Sequence, residues 1–276
     1  MKEEILLDFM KYQAFGNDFV IIDGRKFPVK NPLEISKLIC DRHFSIGCDD
    51  LLYLEDSFTA DVKMRICEPD GSESSMCGNG VRCVANYITE ETGKNEIKVE
   101  TVGGIKTVTK NKPDIYTVNM GLMQNIGNFI EPPSDKTIEE RDFDLGKFYV
   151  VSPGEPHAVT LVKDVDSIDI KNAESVSKNR DIFPYGINVD FFEIHEGFIK
   201  LRTFERAIWG ETLSCGTGAV SSAFIAHSKF NLPSELNVQT KGGILRVKIT
   251  DEGILQTGEA RFVFKGKITF KLDERY

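Results

Sequence analysis

Cysteine followed by glycine-x-glycine occurs twice in this chain, in Met76-Cys77-Gly78-Asn79-Gly80 and in Ser214-Cys215-Gly216-Thr217-Gly218. A helix-like stretch follows each, Val81 to Tyr87 and Ala219 to His227. Glycines at a helix start let the backbone turn tightly and present N–H groups. The first turn of a helix carries donors and partial positive charge, so it can lower a cysteine pKa to favour the thiolate, or cradle a ligand carboxylate. Two such loops brought to one cleft would set two thiols on opposite sides of a carboxylate-bearing carbon. That arrangement suits inversion of an α-carbon. A single base tends to return the proton it removed, whereas a thiolate on one face and a thiol on the other can work in either direction. Donors from both helix ends would meet the charge that develops on the carboxylate.

The loops sit inside a larger repeat. Phe15-Gly16-Asn17-Asp18-Phe19-Val20-Ile21 resembles Pro153-Gly154-Glu155-Pro156-His157-Ala158-Val159, and both glycines precede their cysteine by 61 residues (16 to 77 and 154 to 215). Thr101-Val102-Gly103-Gly104-Ile105 parallels Thr240-Lys241-Gly242-Gly243-Ile244, and Phe44-Ser45-Ile46-Gly47 more weakly parallels Phe183-Pro184-Tyr185-Gly186. A period of half the chain is too long for a solenoid and implies two tandem copies of one domain, 1–130 with Cys77 and 131–276 with Cys215. The expected join is the polar, proline-broken stretch between Gly127 and Lys136.

The elements that must position the loops are mostly strands. Phe19 to Ile22, Lys98 to Val102, Ile105 to Thr109, Phe148 to Val151, Ala158 to Val162, Phe198 to Thr203 and Leu245 to Ile249 are short, rich in β-branched or aromatic residues and bounded by turn residues. Leu33 to Arg42 has helical spacing behind Asn31-Pro32. Many strands with few helices per half predict an α+β fold of two related domains, with the active site between them.

Composition narrows the partners. A net charge of −9 repels nucleic-acid phosphates and anionic membrane surfaces. The acidic start Met1-Lys2-Glu3-Glu4 is unlike a signal peptide, and no apolar run is long enough to span a bilayer. The cytoplasm is the expected compartment. The cysteines at 40, 48, 67, 77, 83 and 215 include no Cys-x-x-Cys and His is scarce, so no metal, disulfide framework or close redox pair is expected. Cys40, Cys48, Cys67 and Cys83 are expected to be small buried apolar residues.

With these residues in view, the chain resembles the diaminopimelate epimerase family over nearly its whole length. The resemblance rests on Gly16-Asn17-Asp18-Phe19, Asp70-Gly71-Ser72-Glu73, Cys77-Gly78-Asn79-Gly80-Val81-Arg82-Cys83, Gly154-x-Pro156-His157, Asn188, Glu205-Arg206, Gly210-Glu211-Thr212, Cys215-Gly216-Thr217-Gly218-Ala219 and Thr257-Gly258. It implies a cofactor-independent isomerase with loop closure over an amino-acid substrate, and a final strand that packs back on the first domain. It implies that Cys77 and Cys215 are the two bases. Asn17, Gly78, Asn79, Gly216 and Thr217 would hold the reacting carboxylate. Glu205 would meet the substrate amino groups and Arg206 the distal carboxylate; His157 would help set thiol protonation, and Asn188 would line the site. A homodimer is compatible with these readings, which leave the oligomeric state open.

Three positions depart from the family pattern, each replacing a neutral amide with a carboxylate: Asp50, Glu68 and Glu155. At Glu68 and Glu155 the family's amides help bind a distal carboxylate. Like charges about 4 Å apart cost on the order of 4 kcal/mol at an effective dielectric of about 20. Two substrates therefore stand: diaminopimelate, if these acids turn outward or stay protonated, and a basic amino acid such as lysine or ornithine, if they line the pocket ionised. A silent amino-acid-binding pair is disfavoured by the presence of both cysteines.

Overall fold

A computed structural model describes residues 4–206 and 208–271; Met1 to Glu3 of the acidic start lie outside the described residues. The chain divides into two compact units, residues 1–118 with 259–276, and residues 119–258. The divisions thus fall at 118/119 and 258/259, whereas the sequence reading places the join at 130/131 and lets the final strand pack on the first domain.

The first unit contains β1 (Glu4–Ala14), β2 (Asn17–Asp23), helix α1 (Pro32–Ile39), β3 (Asp50–Glu55), β4 (Val62–Cys67), β5 (Glu73–Ser74), helix α2 (Gly78–Thr92), β6 (Glu96–Thr101), β7 (Gly104–Lys112), β8 (Ile115–Asn119) and, from the far end of the chain, β18 (Arg261–Lys271). The second contains β9 (Glu139–Phe143), β10 (Gly146–Val151), β11 (His157–Leu161), helix α3 (Ala173–Ser177), β12 (Asn188–His195), β13 (Phe198–Glu205), β14 (Gly210–Glu211), helix α4 (Gly216–Phe230), β15 (Glu235–Thr240), β16 (Gly243–Thr250) and β17 (Gly253–Glu259).

The units share one pairing scheme. β2 runs parallel to β3 with Phe19 beside Asp50, and β11 runs parallel to β12 with His157 beside Asn188. Antiparallel β3–β4 corresponds to β12–β13, parallel β4–β6 to β13–β15, and antiparallel β6–β7 to β15–β16. β6 and β15 alternate identically, with Ile97, Val99 and Thr101 buried in one and Leu236, Val238 and Thr240 in the other, as strands with one solvent face must. β2 and β3 are buried on consecutive residues, since α1 and the neighbouring strands leave them little solvent face.

The predicted strands all form. β1 is not among the predicted strands, and a final strand on the first domain is expected only from the family resemblance; β1 and β18 pair antiparallel from Leu6 opposite Thr269 to Gln13 opposite Arg261, with a bulge at Lys11/Tyr12. Edge-on aromatic contacts, Phe9 with Phe264 and Tyr12 with Phe262, seal them. The first unit's core gathers Leu7, Phe9, Val20, Ile22, Ile35, Ile39, Leu51 and Tyr53. The second unit's gathers Phe148, Val150, Val165, Val176, Phe183, Ile187, Val189, Phe191 and Phe204. Among the described residues no helix is long and apolar enough to cross a membrane.

Candidate functional site

Each Cys-Gly-x-Gly stretch becomes the start of a 15-residue helix, α2 or α4, with the cysteine as N-cap in extended conformation. Both thiols cap in the same way. Cys77 Sγ accepts the Gly80 amide at 3.3 Å and Cys215 Sγ accepts the Gly218 amide at 3.4 Å. The Val81 and Ala219 amides close on the cysteine carbonyls, so the helices' first two amides belong to Gly78 and Asn79, and to Gly216 and Thr217. These are the residues expected to hold a carboxylate. The third glycine leaves little room for a side chain, much less at Gly218 than at Gly80. A Cβ on Gly218 would stand 2.6 Å from Asp190 Oδ1, and one on Gly80 would stand 3.2 Å from Leu52.

Strand register makes the two surroundings comparable residue by residue. Asn17, Asp50 and Glu68 of the first unit correspond to Glu155, Asn188 and Glu205 of the second, one amide and two acids in each. In the first unit Asn17 Oδ1 accepts Asn79 Nδ2 at 3.1 Å and stands 3.9 Å from Cys77 Sγ. Asp49 holds Asn17 from behind, accepting its Nδ2 at 2.7 Å, and is itself paired with Arg42. Asn79 Oδ1 is held in turn by Arg82. That arginine is fully buried, stacks over Phe15 and is lowered to about 10 by burial. Ser74 donates to Glu68. Burial, and then the facing Glu68 carboxylate, pushes Asp50 well above the usual carboxylate range.

In the second unit His157, fully buried, bridges two partners: Nδ1 meets Asp190 Oδ2 at 2.7 Å and Nε2 meets Thr217 Oγ1 at 2.9 Å. Thr217 Oγ1 is 3.4 Å from Cys215 Sγ. Asn188 Nδ2 is 3.4 Å from His157 Nε2, and Asn188 Oδ1 accepts the Arg206 amide at 3.0 Å. Glu205 accepts Thr212 Oγ1 at 2.6 Å; burial raises its carboxyl, which the Thr212 hydroxyl, His157 and the hydrogen-bonding Cys215 thiol partly oppose. Burial, followed by the carboxylates of Glu205 and Asp190, lifts Cys215 well above an ordinary thiol, against the helix-start effect expected from its position. Gln256 fixes the start of α4 by donating to the Gly216 carbonyl at 2.7 Å. Arg206 is tied to Glu155 at 2.6 Å, with the Tyr185 and Gly186 carbonyls at 3.3 Å.

Contacts within the first unit thus link Asn17 and Asn79, beside Gly78, to Cys77 and set Asp50 against Glu68. Within the second, Thr217, beside Gly216, joins Cys215 to His157 and so to Asn188, Glu205 meets the thiol, and the Arg206–Glu155 pair adjoins Asn188. Sequence reasoning missed Asp49, Arg82, Asp190, Thr203 and Gln256. Asp190 did leave a signal, a lone acid within the apolar run Val189-Asp190-Phe191-Phe192. Cys40 and Cys48 are buried as expected, but their Sγ atoms lie 3.4 Å apart, a close thiol pair that the sequence reading does not expect.

A family profile described as diaminopimelate epimerase matches residues 9–126 and 149–263. The chain belongs to the diaminopimelate epimerase family. A diaminopimelate epimerase of Methanococcus maripaludis is 36% identical over 277 residues, covering 95% of this chain and 99% of the relative. One from Acetivibrio thermocellus is 39% identical over 276 residues, covering 94% and 98%. Solved structures of lower identity share the fold. A probable proline racemase from Agrobacterium radiobacter has a TM-score of 0.70 at 14% identity, covering 95% of this chain and 92% of that one. A phenazine biosynthesis protein of the PhzF family from Bacillus anthracis has a TM-score of 0.68 at 19% identity, covering 96% and 99%. Family membership makes this chain an isomerase of the epimerase type.

Proposed function

We propose that the chain inverts an amino-acid α-carbon with Cys77 and Cys215 as the two acid/base groups, one on each face, and that its substrate is LL-diaminopimelate, in line with relatives named diaminopimelate epimerase. The observation that carries this reading is the duplicated thiol cap: two helices of equal length, each opened by a cysteine that accepts the amide three residues on. The amides of Gly78, Asn79, Gly216 and Thr217 bind the reacting carboxylate, with Asn17 beside Asn79. Glu205 binds the amino group, and His157 tunes Cys215 through Thr217. The thiols perform both proton transfers, so the reaction needs no pyridoxal phosphate or metal. Free thiols of this kind suit the cytoplasm, and a homodimer is compatible with the site. Exchange of the substrate α-proton in deuterated water, without added cofactor, tests the reading; absence of exchange over a panel of amino acids overturns it.

A second substrate reading is favoured by one contact. Arg206, the expected partner of a distal carboxylate, already pairs with Glu155. A neutralised arginine attracts that carboxylate weakly, and Glu68 is a second acid where the family carries an amide. A distal ammonium, as in lysine or ornithine, meets less repulsion there. Comparing kcat/KM for lysine, ornithine and LL-diaminopimelate on wild type and on the Glu68→Asn, Glu155→Asn double variant separates the readings. If the acids read the distal end, the double variant shifts preference toward diaminopimelate by about tenfold or more, since about 1.4 kcal/mol suffices for that factor.

A further inference from the structure

Directly behind the Cys215 helix start lies a buried polar layer that the first unit lacks. Asp190 of β12, His157 of β11, Thr203 of β13 and Thr217 of α4 meet there. Asp190 Oδ2 lies 2.7 Å from His157 Nδ1, and its Oδ1 accepts Thr203 Oγ1 at 2.7 Å. The corresponding first-unit positions hold Leu52, Phe19 and Ile66, all buried, beneath the same glycine of the helix start. The fold therefore accepts an apolar layer at this place. A buried carboxylate and imidazole are costly unless paired. They occur only in the copy where they connect to the thiol.

We propose that Asp190 is a positioning residue for Cys215, supporting through His157 and Thr217 the thiolate form of that cysteine when it acts as base. The proposal rests on the two-thiol reading above. The chain of contacts has two settings. With His157 neutral and its Nδ1–H on Asp190, the Thr217 hydroxyl donates to Nε2 and Thr217 Oγ1 can accept the Cys215 S–H; Asn188 Nδ2, 3.4 Å from Nε2, suits an unprotonated nitrogen. In the other setting the Thr217 proton has passed to Nε2 and the thiol proton to Thr217 Oγ1. The hydroxyl then donates to a thiolate, and the Asp190 carboxylate offsets the imidazolium. Only S–H, O–H and N–H bonds change and no charge is created overall. Glu205 faces the same thiol from the end of β13 and remains as a second acceptor when Asp190 is altered.

Elimination of halide from a β-halogenated amino-acid analogue tests this, because it needs one base: the base takes the α-proton, the halide leaves and a carbon–carbon double bond forms. Each analogue epimer should depend on one thiol. The epimer still processed by Cys77→Ser reports Cys215, and the one still processed by Cys215→Ser reports Cys77. Asp190→Asn is expected to slow the Cys215-dependent epimer by about tenfold or more while leaving the other within about twofold, and to shift the pH profile of the affected epimer alone. The Asp190→Leu, His157→Phe variant, which copies the first unit's pair, should fold with a Tm at or above wild type and show the same one-sided loss. Equal loss for both epimers in the two variants, or none for either, overturns the proposal. Failure of the two cysteine variants to separate the epimers is a different result, which removes the two-thiol reading and this proposal with it.

Discussion

At the scale of single residues, the two thiols have the same cap but different neighbours. Cys77 stands near Asn17, beside an amide held by the buried cation Arg82, whereas Cys215 faces the carboxylates of Glu205 and Asp190. Serine is a good N-cap, so Cys77→Ser and Cys215→Ser should keep Tm close to wild type. Each should still lose about a hundredfold or more of α-proton inversion, the scale of a missing general base. Either variant retaining wild-type inversion would contradict the proposed roles. Asp50 yields a prediction about stability. Burial first, and Glu68 second, raise its carboxyl, so the folded protein binds that proton more tightly than the unfolded chain. The resulting stabilisation is present at low pH and declines as pH rises through the folded-state value. Asp50→Asn mimics the protonated form and should melt above wild type at about pH 8, with the difference narrowing toward about pH 5.

At the scale of elements, the helix starts are set by what lies beneath their third glycine. A methyl on Gly218 would collide with Asp190 Oδ1 at 2.6 Å and Thr203 Oγ1 at 2.9 Å, two atoms held by their mutual hydrogen bond. A methyl on Gly80 would meet only the Leu52 methyls, at 3.2 and 3.3 Å, which can rotate aside. Gly218→Ala should therefore cost about 2 kcal/mol, within the usual range for overpacking, and Gly80→Ala distinctly less. Denaturant midpoints of the two variants decide this; equal midpoints would mean that the polar layer yields as easily as the apolar one. The helix ends are handled alike, with Gly93 and Asn231 in the left-handed region at φ 72 and φ 56, residue types that tolerate it.

At the scale of the whole molecule, the first unit depends on both ends of the chain. β18 pairs antiparallel with β1 on the side away from β2, and Ala260 and Glu259 offer carbonyls to Asn86 and Arg82 of α2. A chain ending at Gly258 should lose the cooperative unfolding of the first unit, because β1, then paired only with β2 from Met10 to Ala14, would become an edge strand with Phe9 and Tyr12 uncovered. The second unit, continuous from 119 to 258, keeps its own core. Calorimetry of the truncated chain should show one transition missing; an unchanged profile would mean that β18 contributes little.

The sequence by itself determined the duplication, the two thiol loops, the helices behind them and the family. Each of these is written in local patterns: equal spacings, glycines at turns, and alternating or helical apolar periods. Three features were decided only by the tertiary structure. The family resemblance implied a final strand on the first domain, but that β1 is its partner, and in which register, is encoded in no local pattern, because the two strands come from opposite ends of the chain. Arg206 and Glu155 were each legible as site residues, yet their ion pair, which bears on the substrate's distal end, joins positions 51 residues apart. Asp190 looked like one acid in an apolar strand. Only the register of β12 against β11 and β13 sets it behind His157, and the burial there turns an ordinary aspartate into a group whose charge must be matched.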